Sequence, residues 1–548
     1  MTETLRLILR QRPARITLGA GAGLAVLGLL VWQMTRATPF RIDDAYITFS
    51  FSKNLATGHG PNFSHGVRVE GYSNFLWMVL NALPLAIYRD VDIYTASRCL
   101  TAPFFALMLV ATYALARSRV SALWAWAAVL LLTVHSDMIT AFFSGLETLP
   151  YAALLTATFA CQVAPRGHRR RRLALPFMTA AALMRIDGFL PLGFLLAWEL
   201  LESRLDRRRL RGYLRWALPA VAIWVIWFSW RWWYYGLPLP STYYAKALIP
   251  VLEPHRGLDY ATDELMATGV LVMVPFLILL AHRMARPVWL LLLYAAVHTA
   301  YVIRVGGDWM PFGRFFMPIV PLGCVLCVWS VADLSARARA LRRFPRMLQG
   351  AAVLAGLAAL GRVAVYTNNA WVDTGEERNR MGNTAEQTQH VEDLRRAVRL
   401  LALVPRPGER LVTDYAGVVG YYTDAYVIDM WGLCNATIAT RGNTDGVRPM
   451  YGRTCHACYP ELRPQYFHTE VPLLRSPDAF SKHVDVVNAV WQTSGIGRYM
   501  DIVGGFRSGR VIDHRDNSAL FFLEQRLSPE PPPRQLPAWA TIDYPFGT

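Results

Sequence analysis

Two adjacent aspartates, Asp43 and Asp44, stand in the segment RIDDAYITF just after the first apolar run of a 548-residue chain. Neighbouring side chains on a helix diverge by about 100°. A pair of this kind therefore divides its work. One carboxylate can take a proton from an attacking hydroxyl while the other orients it or caps a helix start by accepting backbone N–H bonds. For a DD pair taken alone the capping use is the commoner one. Glu70, Arg98, Glu147, Arg185, Asp187, Lys246, Asp308 and Arg314 also fall in loops or at helix ends, several in aromatic and Gly-rich contexts such as GGDWMPFGR. Ionisable groups near a bilayer are costly unless paired or hydrated, so both signs gathered on one side suggest a cavity for a polar substrate.

The elements that must position these residues are membrane helices. The chain is 54% hydrophobic with 18 Trp and a mean hydropathy of +0.24, too apolar for a soluble domain of this length. Its net charge of +17 comes in short clusters between apolar runs: Arg6 to Arg15, Arg117 and Arg119, Arg166 to Arg172, Arg204 to Arg215, Arg283 and Arg286, and Arg337 to Arg346. That is the spacing of cytoplasmic loops, and no basic stripe interleaved with aromatics points to nucleic acid. The first apolar run, Ile16 to Met34, is long for a signal peptide and reads as a retained helix.

Sidedness decides the count. If Phe75 to Tyr88 crossed, three basic clusters would face outward; as a short helix lying in the outer interface it returns every cluster to the cytoplasm. The sequence thus predicts a mainly α polytopic protein of about eleven transmembrane helices over residues 1–366. Its first outer loop, 37–93, carries juxtamembrane helices. Residues 367–548 are expected to form a soluble extracytoplasmic α/β domain, with strands at Arg410 to Thr413, Tyr426 to Met430, Val511 to Asp513 and Leu520 to Glu524. The expected location is a bacterial inner membrane, with the N-terminus cytoplasmic and the C-terminal domain periplasmic or extracellular.

Cys455-His456-Ala457-Cys458 lacks the second pair of ligands a zinc site would need, so no metal ligands are assigned. Outside the cytoplasm a disulfide between two of Cys434, Cys455 and Cys458 is expected, with one thiol left over.

Longer motifs add a family to this reading. RIDDAYITFSFSKNLATGHGPNFSHGVRVEGYSNFLW, SGLET at 144–148, GLPLPSTYYAK at 236–246, GGDWMPFGRFFMP at 306–318 and DMWGLCNATIA at 429–439 resemble the GT-C class of integral-membrane glycosyltransferases, and within it the terminal arabinofuranosyltransferases. The resemblance implies a GT-C fold, a polyprenyl-phosphate-linked sugar donor, an acceptor hydroxyl on a glycan, and an aspartate of the first outer loop, Asp43 or Asp44, as general base. A phosphodiester leaving group needs cations, which makes Lys246 and Arg314 the first candidates, followed by Arg98 and Arg185. Asp308 or Glu70 could stabilise an oxocarbenium-like centre. Tyr46, Trp77, Tyr243 and Trp309 offer faces to sugar or prenyl groups, or serve as interfacial belt residues. Asp429 and Trp431 are expected nearest the acceptor.

The expected activity is transfer of a sugar, for instance arabinofuranose, from a polyprenyl phosphate to a cell-envelope glycan or glycolipid, with inversion. No cofactor is certain, and a divalent-metal requirement is left open. The alternative is a transporter or flippase of a lipid-linked sugar, which should carry charges at mid-membrane and broken helices in both halves. Here the spans are nearly free of charge.

Overall fold

The computed structural model describes residues 12–36, 40–64, 66–165, 168–203, 207–246, 253–268, 285–308, 310, 313–340, 380–443, 453–468, 506–515, 518–525 and 535–544. In chain order the helices are α1 (Arg12–Arg36), α2 (Asp43–Ala56), α3 (Phe75–Ile87), α4 (Ile93–Arg117), α5 (Ala122–Thr133), α6 (Ser136–Phe143), α7 (Thr148–Gln162), α8 (Ala174–Met184) and α9 (Phe189–Ser203). There follow α10 (Arg207–Tyr235), α11 (Ser241–Lys246), α12 (Arg256–Thr268), α13 (Arg286–Val305), α14 (Val320–Ala340), α15 (Arg380–Leu401), α16 (Ala416–Tyr422), α17 (Ala436–Arg441) and α18 (Tyr459–Leu462). The strands are β1 (Arg410–Thr413), β2 (Tyr426–Asp429), β3 (Tyr466–His468), β4 (Phe506–Asp513), β5 (Ser518–Gln525) and β6 (Ala540–Asp543).

The chain divides into two compact units. One comprises residues 1–40, 97–227 and 253–385 and is helical throughout its described part. Among the described residues three helices are long and apolar enough to cross a membrane, Ile93–Arg117, Leu210–Tyr235 and Arg286–Val305, and a fourth crossing is available if α5 and the bent segment after it form one span. Several apolar runs form shorter helices, such as the 15-residue α7, which at about 1.5 Å per residue falls short of a hydrocarbon core about 30 Å thick. The expected runs at 265–281 and 348–366 lie almost wholly outside the described residues. Within this unit α7 is buried on nearly every face and packs along α8, while α5 packs against α1 and α14.

The second unit comprises residues 41–96, 228–252 and 386–548. At its centre lies α2, whose sequence DDAYITFSFSKNLA shows no single apolar stripe because it is covered on all sides. Its buried hydroxyls bond back to its own backbone, Ser50 to the Tyr46 carbonyl at 2.8 Å and Ser52 to that of Thr48 at 2.9 Å. Asn54 fastens the following loop by donating to the carbonyls of Asn62 and Phe63. Against α2 pack α3 and α16.

A six-stranded sheet in the order β2-β1-β3-β5-β4-β6 completes this unit. The first three strands run parallel, in the register Thr413 to Asp429 and Thr413 to His468, and the remainder pair antiparallel. Strands β1, β2, β4 and β5 overlap the four expected from the sequence. The short β3 and β6 were not expected, since three or four residues are too few for a period of two to show.

Candidate functional site

Asp43 and Asp44 form the first turn of α2. Asp43 does not cap its own helix. Its two carboxylate oxygens accept the backbone N–H groups of Gly417 (3.0 Å) and Val418 (2.7 Å), in the first turn of α16. This seats the carboxyl on otherwise unpaired N–H groups at the start of a helix remote in sequence. The fit requires Gly417, because a Cβ there would collide with the backbone carbonyl of Asp43. Burial raises the Asp43 carboxyl to about 7, with Asp44 and Asp429 pushing the same way and the two N–H bonds opposing.

Asp429, at the carboxyl end of β2, is fully buried and accepts from the backbone N–H of Trp431 (3.0 Å) and Cys434 (2.7 Å). These bonds form the turn DMWGLCN, in which Gly432 holds the left-handed conformation (φ 76°). Burial raises Asp429 to about 6, and the charge of Asp44 adds to it. Three carboxylates, Asp43, Asp44 and Asp429, thus act on one another within this unit, and Trp431 stands half-buried on the same turn. The first loop passes directly against this turn at Gly71, where a side chain would strike Cys434.

Glu70, one residue earlier, is ion-paired with the fully buried Arg231 near the end of α10. Burial pushes the Glu70 carboxyl up, against the pull of Arg231. Its carboxylate is turned into the protein, which does not suit it to stabilise a reacting sugar. Beyond Arg231 the chain turns through 236–240 into α11, which packs on α17 and carries Tyr243, 56% exposed, and Lys246, part-buried.

Tyr46 and Trp77 are buried, at 1% and 0% exposure. The ring of Tyr46 packs on Phe49, Tyr94, Tyr421 and Tyr422, so protein rather than ligand occupies its faces. These two aromatics belong to the core of the unit instead of a stacking platform.

The remaining expected site residues lie in the helical unit. Arg185 is bracketed by Glu147 (2.6 Å) and Asp187 (2.8 Å), and Asp187 also accepts from Tyr301. Arg314 pairs with Asp308 at 2.6 Å, and Arg256 donates to the Asp308 backbone carbonyl. A cleft brings Arg185 and Arg314 to a common wall with Asp187, His298 and Tyr301. Arg98 lies over the ring of Phe143. Trp309 lies outside the described residues. The structure thus sorts the candidates into two groups: Asp43, Asp44, Glu70, Tyr243, Lys246, Asp429 and Trp431 in one unit, and Arg98, Arg185, Asp308 and Arg314 in the other.

Sequence reasoning missed Arg231 and the α16 seat, and the signal for both was slight. An arginine ending an aromatic helix reads as a loop boundary, and nothing near AGVVG points to a partner over 370 residues away. Among the described residues no group of three or more His, Cys, Asp or Glu could hold a metal ion. The disulfide joins Cys455 to Cys458, leaving Cys434 as a buried thiol.

A family described as a domain of unknown function, DUF8728, matches residues 380–510. Over 335 residues the chain is 28% identical to the terminal beta-(1->2)-arabinofuranosyltransferase of Corynebacterium glutamicum, a match that covers 53% of this chain and 47% of that one. The chain therefore spans about half the length of the curated relative it matches. Among solved structures it is similar to ArnT from Cupriavidus metallidurans bound to undecaprenyl phosphate, with a TM-score of 0.53, 14% identity, and 85% and 94% of the two chains covered. It is also similar to the archaeal oligosaccharyltransferase AglB from Archaeoglobus fulgidus in complex with an inhibitory peptide and a dolichol-phosphate. That match has a TM-score of 0.52 and 11% identity and covers 96% and 75% of the two chains. The fold is thus shared with membrane glycosyltransferases of the GT-C class, as the sequence motifs imply.

Proposed function

We propose that the protein is an extracytoplasmic glycosyltransferase that moves a sugar, a furanose such as arabinofuranose, from a polyprenyl phosphate to a hydroxyl of a cell-envelope glycan or glycolipid. The observation that carries this reading is the convergence, within one unit, of Asp43, Asp44 and Asp429 with the turn bearing Trp431, beside the helix pair α11 and α17 that presents Tyr243 and Lys246.

Asp43 is committed through both oxygens to seating α16, and Asp44 is the general base. It takes the proton of the acceptor hydroxyl as that oxygen attacks the anomeric carbon. The bond to the phosphate oxygen breaks with its electron pair, polyprenyl phosphate leaves, and in-line displacement inverts the anomeric centre. Lys246 neutralises the departing phosphate, the role left to it by arginines already paired with carboxylates at Arg185 and Arg314. Trp431 and Tyr243 supply ring faces to the glycan and the donor. Purified protein in detergent, given a panel of polyprenyl-phosphate sugars and an acceptor oligosaccharide, should transfer at least one sugar with inverted configuration. Movement of the intact lipid-linked sugar across a vesicle membrane without transfer would establish the transporter alternative instead.

A further inference from the structure

The turn leading to Lys246 is tied down by groups that the proposed reaction does not use. Arg231 is 0% and Glu70 3% exposed. The guanidinium forks onto the carboxylate, through Nε at 3.0 Å to Oε1 and through a second nitrogen to Oε2, and its third nitrogen donates to the carbonyl of Pro238 at 2.5 Å. Glu70 contributes again through its backbone, whose carbonyl accepts the N–H of Ser241, the first residue of α11, at 2.9 Å. The pair therefore contacts the 236–241 turn at two points, one from each partner. Ser241 and Ala245 are buried at 1%, so α11 has little freedom once its start is fixed.

We infer that the Glu70–Arg231 pair is a positioning device for the donor subsite, setting the 236–240 turn so that α11 presents Lys246 in register with the donor phosphate. The inference rests on the proposed reading of Lys246. Filling the space is not sufficient to explain the pair: a buried ion pair replaced by apolar side chains of similar volume is often neutral or stabilising, whereas removal of one partner strands a buried charge. What an apolar pair cannot reproduce is the bond to the Pro238 carbonyl. Nor does the corner depend on the ion pair alone. Tyr235 donates to the Pro61 carbonyl at 2.8 Å and meets the Tyr72 hydroxyl at 3.0 Å, and Tyr234 donates to Asn62 at 3.0 Å.

The test compares wild type, Arg231→Lys, the double variant Glu70→Leu with Arg231→Met, and Lys246→Ala, reading thermal midpoint, kcat and the separate KM values for donor and acceptor. The double variant should melt near wild type yet show a donor KM raised about tenfold, the size of one lost charge-assisted contact, with acceptor KM unchanged. Arg231→Lys keeps the charge but not the fork, and should fold and show the same selective rise. A wild-type donor KM in either folded variant would make the pair merely structural and overturn the inference. Lys246→Ala separates the premise: if it leaves donor KM unchanged, the donor-subsite reading fails first, and the positioning role fails with it.

Discussion

At the scale of single residues, the paired acids show how far spacing alone can be read. Two adjacent carboxylates with divergent directions were legible as two different jobs, but the assignment was not, because the partner of Asp43 lies on α16, 374 residues away. Replacing a general base typically costs about 10²- to 10⁴-fold in rate, so Asp44→Asn should lose most of its kcat while melting as wild type does. Asp43→Asn should behave in the opposite sense. An amide offers one acceptor where two N–H groups need one each, so its main effect is on stability, by about 1–3 kcal/mol. The pH dependence gives a second readout. With a folded value near 7 against 3.8 for the ordinary carboxyl, Asp43 keeps a proton in the folded protein that the unfolded chain has shed. Its contribution to stability therefore falls as pH rises from about 4 to about 7. The thermal midpoint of wild type should decline across that window more steeply than that of Asp43→Asn. A loss of kcat without loss of stability in Asp43→Asn, with Asp44→Asn active, would reverse the two roles.

At the scale of elements, the unit holding these acids depends on close approach between short helices. Helix α16 has only seven residues and cannot persist by propensity, so its place is set by what it touches. Its N-terminus rests on the first turn of α2 at Gly417, and Gly420 lies where a Cβ would meet the ring of Phe63. Expected strands at 410–413 and 426–430 were visible as apolar runs between turn residues. The AGVVGYY segment between them reads from sequence as a Gly-rich turn instead of the helix it forms, since its glycines argue against a helix until the surfaces they admit are known. Gly417→Ala should therefore destabilise the protein by about 1–3 kcal/mol despite its better helix propensity, because the added methyl must displace α16 from α2. Differential scanning fluorimetry in detergent checks this. A rise in midpoint would mean that propensity outweighs packing here, and that α16 is not held where the Asp43 bonds require it.

At the scale of the whole molecule, an argument independent of charge counting bears on topology. Charge assigns to the outer face the first loop 37–93, the turns 135–147, 185–188, 231–263 and 304–314, and everything after 367. The segments that fold into one compact unit are 41–96, 228–252 and 386–548. A mixed sheet with open strand edges does not lie within a bilayer, so we propose that the pieces of this unit share one side of the membrane, which asks for an even number of crossings between residues 96 and 228 and again between 252 and 386. That parity supports the same sidedness as the placement of Phe75 to Tyr88 in the interface, where the 13-residue α3 is short for a span at about 1.5 Å per residue. What parity leaves undetermined is which face, and we propose from the basic clusters Arg166 to Arg172 and Arg204 to Arg215 that these loops are cytoplasmic. Single cysteines placed at Arg208, exposed at the start of α10, and at Tyr243, exposed on α11, provide the measurement. In intact cells an impermeant maleimide should label Tyr243→Cys and spare Arg208→Cys, which should react only after permeabilisation. Labelling of Arg208→Cys in intact cells would invert the topology and place the acids of α2 on the cytoplasmic side. The donor and acceptor would then have to be sought there, and the extracytoplasmic reading of the reaction would fall with the orientation.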